Sequence, residues 1–258
     1  MEQQVAWGAG KPGDEERLLS MQSDTEAYYG WMNKARDLSR RAVDSAVRAD
    51  SNEAAAFWQV NAALREAELG NAALARQGVT AALALSRGRD VNVVAALTLA
   101  RIGDVPQAKA LVVELEKNYP LNTMLKLYGL PTINAAIALN TGNSSQTIVD
   151  LEAAAPYELG SAAINYLYPA YLRGQAYLLA HNGPAAAAEF QKLLDHRGIV
   201  VNFVTGSLAH LQIGRAYAMA GDTAKAKAPY QNFLSLWKDA DPDIPILKRA
   251  KAEYAKLQ

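Results

Sequence analysis

The stretch GRAYAMAGDTAKAKAPY, residues 214–230, is the strongest indication of the fold. Its informative positions share one spacing pattern: Gly214, Tyr217, Gly221, Asp222, Ala226 and Tyr230. A small residue at Gly214 and another at Ala226 let two helix backbones cross closely, and the tyrosines fill the space beside them. Gly221 can adopt the positive φ that ends the first helix, and Asp222 can cap the second. The stretch therefore predicts two packed helices joined by a tight turn.

The unit before this stretch repeats the same pattern. Gly174 and Tyr177 lead to Ala186 and Phe190 with the same offsets, while His181 stands where glycine is usual. A small residue, an aromatic residue, a turn, an alanine and a second aromatic residue thus recur in one register. This recurrence predicts that the helix pair is a repeating unit.

Turn signals recur along the whole chain, at Gly30, Gly70, Gly103, Gly142, His181 and Gly221. The intervals between them are 40, 33, 39, 39 and 40 residues. Tetratricopeptide (TPR) repeats have a period of about 34 residues, and HEAT or armadillo repeats one of about 40–47 residues. The intervals near 40 suit a HEAT-like fold, but longer linkers between repeats explain them equally well. The residues flanking the turns resemble the TPR signature and favour that fold.

The predicted fold is all-α: a right-handed superhelical solenoid of about six TPR-like helix pairs with a C-terminal capping helix. Residues 1–13 are expected to be a flexible lead-in, with Asp14 capping the first helix, and residues 14–258 a single domain. The repeats and the cap are expected near 15–50, 54–87, 90–120, 129–157, 167–197, 207–238 and 245–258.

The chain also resembles a narrower family. The matching stretches are TEAYYG (25–30), RRAVDSA (40–46), YELGSA (157–162), LYPAYLRGQAYL (167–178), EFQKLLDHRGIV (189–200), GRAYAMAGDTAKA (214–226) and LWKDADPDIPILKRAKAEYAKLQ (236–258). They resemble the C-terminal TPR region of bacterial, especially acidobacterial, eukaryotic-type serine/threonine protein kinases, from roughly residue 5 to the end. In that family the repeats follow a kinase domain, commonly with a membrane span between them. The resemblance implies a sensor or docking module.

Composition and motifs argue against a self-contained enzyme. The sequence has no Gly-rich loop, His-Arg-Asp, Asp-Phe-Gly or Ala-Pro-Glu motif of a kinase. It has no cysteine, so thiol catalysis and cysteine-ligated metals are excluded. Lys plus Arg is 26 and Asp plus Glu is 26, so no bulk attraction for nucleic acid is expected. No segment has the ~20 apolar residues of a membrane span, so this chain is not expected to insert into a membrane directly.

Three local patterns that could carry chemistry lack essential parts. Residues 8–11 resemble a phosphate loop but lack its first glycine and the Ser or Thr after the lysine. Residues 239–250 have alternating aspartates but lack the glycine and glutamate of a calcium loop. The histidines, His181, His196 and His210, are not spaced to form a metal pair on one helix. We therefore expect no cofactor and no metal.

A ligand of a TPR solenoid is expected in the concave groove that the first helix of each pair lines. The repeat register places these residues there: Tyr168, Tyr171, Gln175, Leu211, Arg215, Met219, Arg101 and Asn140. The Lys/Asn/Arg set that clamps an acidic C-terminal tail in TPR co-chaperones is missing from the equivalent rows, so such a tail is disfavoured. The mixed aromatic and polar surface suits an extended or helical peptide, although packing against the next helix would also explain the tyrosines.

The first functional hypothesis is a non-catalytic scaffold that binds a peptide or partner domain of unknown identity in this groove. The alternative is the regulatory or sensor region of a bacterial serine/threonine kinase, acting by small-molecule binding or oligomerisation. Self-association into a homo-oligomer stays open. A free chain is expected in the cytoplasm, and an extracytoplasmic position is expected if a parent protein has a membrane span before this region.

Overall fold

The structure is a computed structural model that describes residues 2–160 and 166–258. These residues form fifteen α-helices and no strand. The helices are α1 Glu2–Gly8, α2 Asp14–Tyr28, α3 Met32–Arg48, α4 Asn52–Leu69, α5 Ala72–Leu85, α6 Arg89–Arg101, α7 Val105–Asn118, α8 Leu130–Asn140, α9 Ser144–Asp150, α10 Tyr168–Leu179, α11 Gly183–Asp195, α12 Arg197–Val200, α13 Val204–Met219, α14 Thr223–Leu236 and α15 Pro245–Ala255. A π-helical turn, Leu125–Gly129, leads into α8, and a 3₁₀ turn, Ala155–Tyr157, follows α9. No helix among the described residues is long and apolar enough to span a membrane.

Consecutive helices pack against each other across every turn that the sequence signalled. The packed neighbours are α2 with α3, α4 with α5, α6 with α7, α8 with α9, α10 with α11, and α13 with α14. Gly221 has a φ of 78°, which confirms the predicted helix-ending conformation. His181 takes the equivalent conformation with a φ of 56°, although its Cβ makes the left-handed region less favourable than it is for glycine.

In four of these pairs, an Asn or Asp side chain caps the N-terminus of the second helix. Asp222 accepts a hydrogen bond from the Lys225 amide, which confirms the predicted cap. The other three caps are Asp104, Asn143 and Asn182. The prediction for Asp14 was wrong: Gly13 is the N-cap of α2, and its amide donates to the carboxylate of Glu16.

Glycines allow the first and second helices of the last two pairs to cross closely. A Cβ at Gly174 would lie 2.7 Å from the Phe190 ring, and one at Gly214 would lie 2.6 Å from the Tyr230 ring. Both rings are buried. The two pairs therefore use the same small-against-aromatic contact that the sequence pattern predicts.

We expect Gly174→Val to lower the free energy of unfolding by about 1–3 kcal/mol, because the new side chain overpacks a rigid ring. Chemical denaturation followed by circular dichroism measures this loss. The control is Gly198→Ala, since a Cβ there meets no atom within 4 Å and should change stability by about 0.5 kcal/mol or less. An equal loss in both variants would refute the packing explanation.

The turn between the first two paired helices, α2 and α3, contacts the segment that follows α14. The Trp237 Nε1 donates to the Tyr28 carbonyl oxygen at 2.9 Å, and the Asp241 amide donates to the Gly30 carbonyl oxygen at 3.0 Å. The Asn33 amide donates to Asp241 Oδ2 at 2.7 Å. Helix α13 also packs against α2 and α4. We call the contact between residues 28–33 and residues 237–241 the closing seam, because it joins the first helix pair to the last.

Helices form both in the first residues and at the C-terminus. The segment expected to be a flexible lead-in contains helix α1, which packs against α2. The expected capping segment forms α15, whose Ile246, Leu247 and Ala250 side chains are buried. Residues 161 and 162 of the quoted YELGSA stretch lie outside the described residues.

Candidate functional site

Three of the predicted groove residues lie in the interior of the protein. Tyr168, Tyr171 and Leu211 are all buried. The Tyr168 hydroxyl donates to Glu68, and the Tyr171 hydroxyl accepts a hydrogen bond from Gln212 Nε2 at 3.4 Å. Burial raises the pKa of both tyrosines, and the Glu68 charge raises it further. These side chains support the packing of α10 and α13, and a ligand cannot contact them in this conformation.

Arg101, at the end of α6, forms an ion pair with Glu68, near the end of α4. Its Nε and Nη2 atoms donate to the two carboxylate oxygens of Glu68 at 2.6 and 2.9 Å. Burial lowers the pKa of Arg101, but the Glu68 charge and hydrogen bonds raise it more. Because Tyr168 donates to the same carboxylate, the pair connects α4, α6 and α10.

Arg215, on α13, is paired in the same way with Glu253 on the final helix. The Arg215 Nε and Nη2 donate to the two Glu253 oxygens at 2.8 and 2.9 Å. The Tyr230 hydroxyl donates to Glu253 as well, at 2.9 Å. The Arg215 guanidinium, which was predicted to contact a ligand, is therefore bound by the Glu253 carboxylate of the chain itself.

The remaining predicted residues lie closer to solvent. Met219, at the end of α13, is 40 % exposed, and Asn140, at the end of α8, is exposed too. Gln175, on α10, is half-buried, and its Oε1 has no hydrogen-bond partner among the described residues. Nearby Leu179, which the sequence did not single out, ends α10 and is also exposed.

These residues belong to helices that run in the same direction. The ends of α4 and α6 meet at the Glu68–Arg101 pair. The Asn140 side chain, at the end of α8, lies beside Gly103 in the turn after α6, and the start of α11 lies against the end of α13. We call the row of helix ends the turn edge; the side chains closest to solvent there are Asn140, Gln175, Leu179 and Met219. Asn140, Gln175 and Met219 are the predicted site residues that are accessible at this edge.

A second polar cluster, which the sequence analysis missed, joins α2, α3 and α4. Arg65 donates to Asp24 at 2.7 Å and to Ser39 Oγ at 2.8 Å. Asn61 Nδ2 donates to the same aspartate at 3.1 Å. Burial raises the pKa of Asp24 even though Arg65 and Asn61 lower it. Asn61 and Arg65 are four residues apart on one helix, and this spacing was the only signal in the sequence.

The described residues include no group of three or more His, Asp or Glu side chains that could hold a metal ion.

No protein-family model matches the chain, and no curated protein sequence is significantly similar to it.

Proposed function

We propose that the chain is a TPR-type solenoid of six helix pairs with a C-terminal capping helix. Repeated turn chemistry supports this proposal: a residue with positive φ is followed by an Asn or Asp cap in four of the pairs. The matched contacts of Gly174 with Phe190 and of Gly214 with Tyr230 support it as well. Helix-pair repeats of this kind form extended binding surfaces.

We further propose that the protein is a non-catalytic scaffold that binds a peptide or partner domain along the turn edge. The observation that carries this proposal is the exposure of side chains that end successive helices: the polar Asn140 and the apolar Leu179 and Met219. A surface that mixes exposed apolar and amide side chains suits a protein partner. Tyr168, Tyr171 and Leu211 then hold the helices that carry this surface.

Site-specific photocrosslinking tests the proposal. A photoreactive phenylalanine derivative is placed at Met219 or at Asn140, and the protein is irradiated in lysate of the source organism. The matched control is Val113 on α7, whose side chain is 63 % exposed but lies away from the helix ends.

We expect one partner to be crosslinked from both turn-edge positions and not from Val113. A product of twice the chain mass would identify a second copy of the chain as that partner. Crosslinking of the same proteins from Val113, or of none from the turn edge, would contradict the assignment of the binding surface.

The regulatory region of a bacterial serine/threonine kinase is the second candidate. The resemblance over residues 5–258 favours it, as does a cleft beside the closing seam that could hold a small molecule. The test is the reading frame that encodes the chain in its source genome. A kinase domain upstream would support this candidate, and a frame without one would remove it.

A further inference from the structure

A cleft of about 350 Å³ lies between the end of α2 and the segment from α11 to α13. The rings of Tyr28 and Tyr29 line one side, and Leu193, Leu194 and Arg197 line the other. Small-molecule sites have volumes of about 300–1,000 Å³, so the cleft suits a small ligand. It lies next to the closing seam, since Tyr28 also accepts the hydrogen bond from Trp237.

Arg197 is the charged residue among those that line the cleft, and it is exposed. None of the residues that line it is an aspartate or a glutamate. Among the described residues, no carboxylate lies within 4 Å of the Arg197 guanidinium, whereas the more buried arginines are all paired: Arg36, Arg65, Arg101, Arg173 and Arg215. Burial raises the pKa of Tyr28, and the positive charge of Arg197 partly opposes this rise. Burial lowers the pKa of His210, and the charge of Arg197 lowers it further. An anionic group would therefore be favoured beside Arg197.

The walls of the cleft combine apolar surface from aromatic and aliphatic side chains with polar surface. The Tyr28 and Tyr29 rings meet edge to face at 5.4 Å. Gly206 lets the Tyr28 ring lie close to α13, since a Cβ there would be 3.1 Å from Tyr28 Cε2. On the other side, a Cβ at Gly198 would meet no atom within 4 Å, so the space above this residue is open. A planar apolar group fits between such walls.

We propose that this cleft binds a carboxylate carried on a small, flat, apolar body, with the carboxylate on Arg197 and the body against Tyr28. A free carboxylic acid and the C-terminal residue of a peptide share this chemistry. Because Tyr28 belongs to the first helix pair and Arg197 to the segment from α11 to α13, the ligand would connect these two parts beside the closing seam and stabilise the closed form. The site is independent of partner binding at the turn edge.

The first experiment titrates phenylacetate into the ¹⁵N-labelled protein and follows the amide signals of Gly198, Val201 and Gly206. Phenylacetamide is the neutral control, and inorganic phosphate tests whether an anion alone is sufficient. A short peptide that ends in phenylalanine, with a free or an amidated C-terminus, distinguishes the peptide source from the free acid.

Three variants accompany the titration. Arg197→Gln removes the cation, and Gly198→Leu places a side chain in the open space, where a Cβ meets no atom within 4 Å. Arg17→Gln is the matched control, because Arg17 is exposed and also has no carboxylate within 4 Å among the described residues.

We expect phenylacetate to shift these three amide signals. We expect phenylacetamide to bind with at least tenfold lower affinity in the same titration. Arg197→Gln and Gly198→Leu should each weaken phenylacetate binding at least tenfold, and Arg17→Gln should leave it unchanged. Absence of binding at about 10 mM, equal binding of the amide, or equal binding by the Arg197→Gln variant would overturn the proposal. A shift with phosphate alone, of the same size as with phenylacetate, would overturn the role of the apolar body.

Discussion

The Arg65→Met variant is expected to lose about 3–5 kcal/mol of unfolding free energy at neutral pH, because removal of one partner strands a buried charge. Arg65 is only 1 % exposed, and its guanidinium holds Asp24 and Ser39 together at 2.7 and 2.8 Å. Because Met fills a volume similar to that of Arg, the loss of unfolding free energy reflects the missing charge and hydrogen bonds more than a new cavity. Denaturant unfolding followed by circular dichroism measures it.

Two variants separate this charge effect from a general effect of arginine removal. Arg40→Met removes an exposed arginine paired with Asp37 and Asp44, and such surface pairs contribute little to stability because solvent screens them. The double variant with Asp24→Asn removes the stranded charge and should recover part of the loss. If the double variant is as unstable as Arg65→Met alone, the ionic explanation is wrong.

The pH dependence of the Arg65→Met variant follows from the sign of the Asp24 shift. The folded pKa of Asp24 is raised above its ordinary value of 3.8 by burial, so the folded state binds its proton more tightly than the unfolded state does. The contribution of Asp24 to stability therefore falls as pH rises through the window between 3.8 and the raised value. Loss of Arg65 raises this pKa further, so the deficit of the variant should be larger at neutral pH than in acid.

We expect Trp237→Ala to lower the unfolding free energy by about 3–5 kcal/mol, the usual cost of truncating a large buried aromatic side chain. Trp237 is 1 % exposed, packs on Phe233 with ring centroids 4.8 Å apart, and donates to the Tyr28 carbonyl oxygen. Its ring also covers Gly30, so the substitution removes the centre of the closing seam. Thermal and chemical unfolding measure the loss of stability.

The matched control for this variant is Trp31→Ala on the other side of the seam. Trp31 is 37 % exposed, and its Nε1 donates to the Asp239 carbonyl oxygen at 3.1 Å. Its removal should cost about 1 kcal/mol, since the hydrogen bond is partly solvated. A similar loss of unfolding free energy in both variants would show that burial of the side chain does not determine how much it contributes to the closing seam.

The local parts of the fold could be predicted because their chemistry lies within a few residues. The positive φ of Gly221 and the cap by Asp222 follow from residue type and position alone. The contact of Gly214 with Tyr230 follows from the repeat register. Helix α1 was missed because residues 1–13 carry no such pattern, and a glycine-rich segment after Trp7 suggested a loop.

The closing seam could not be predicted, because its hydrogen bonds join residues more than 200 positions apart, such as Trp237 and Tyr28. The repeat register predicts which face of α10 carries Tyr171. It does not predict whether other side chains of the protein pack against the Tyr171 ring. That space is filled by Tyr168, Phe190 and Gln212. The predicted site therefore divides into buried support and the accessible turn edge.

The closing seam brings the first helix pair against the last, and the cleft at Arg197 lies beside it. The chain has no cysteine, so spin labels can be attached at Asn33→Cys and Lys238→Cys, two exposed positions on opposite sides of the closing seam. Pulsed electron–electron double resonance should give a single, short and narrow distance distribution. A broad distribution centred at a long distance would show that the ends do not meet and would contradict the account.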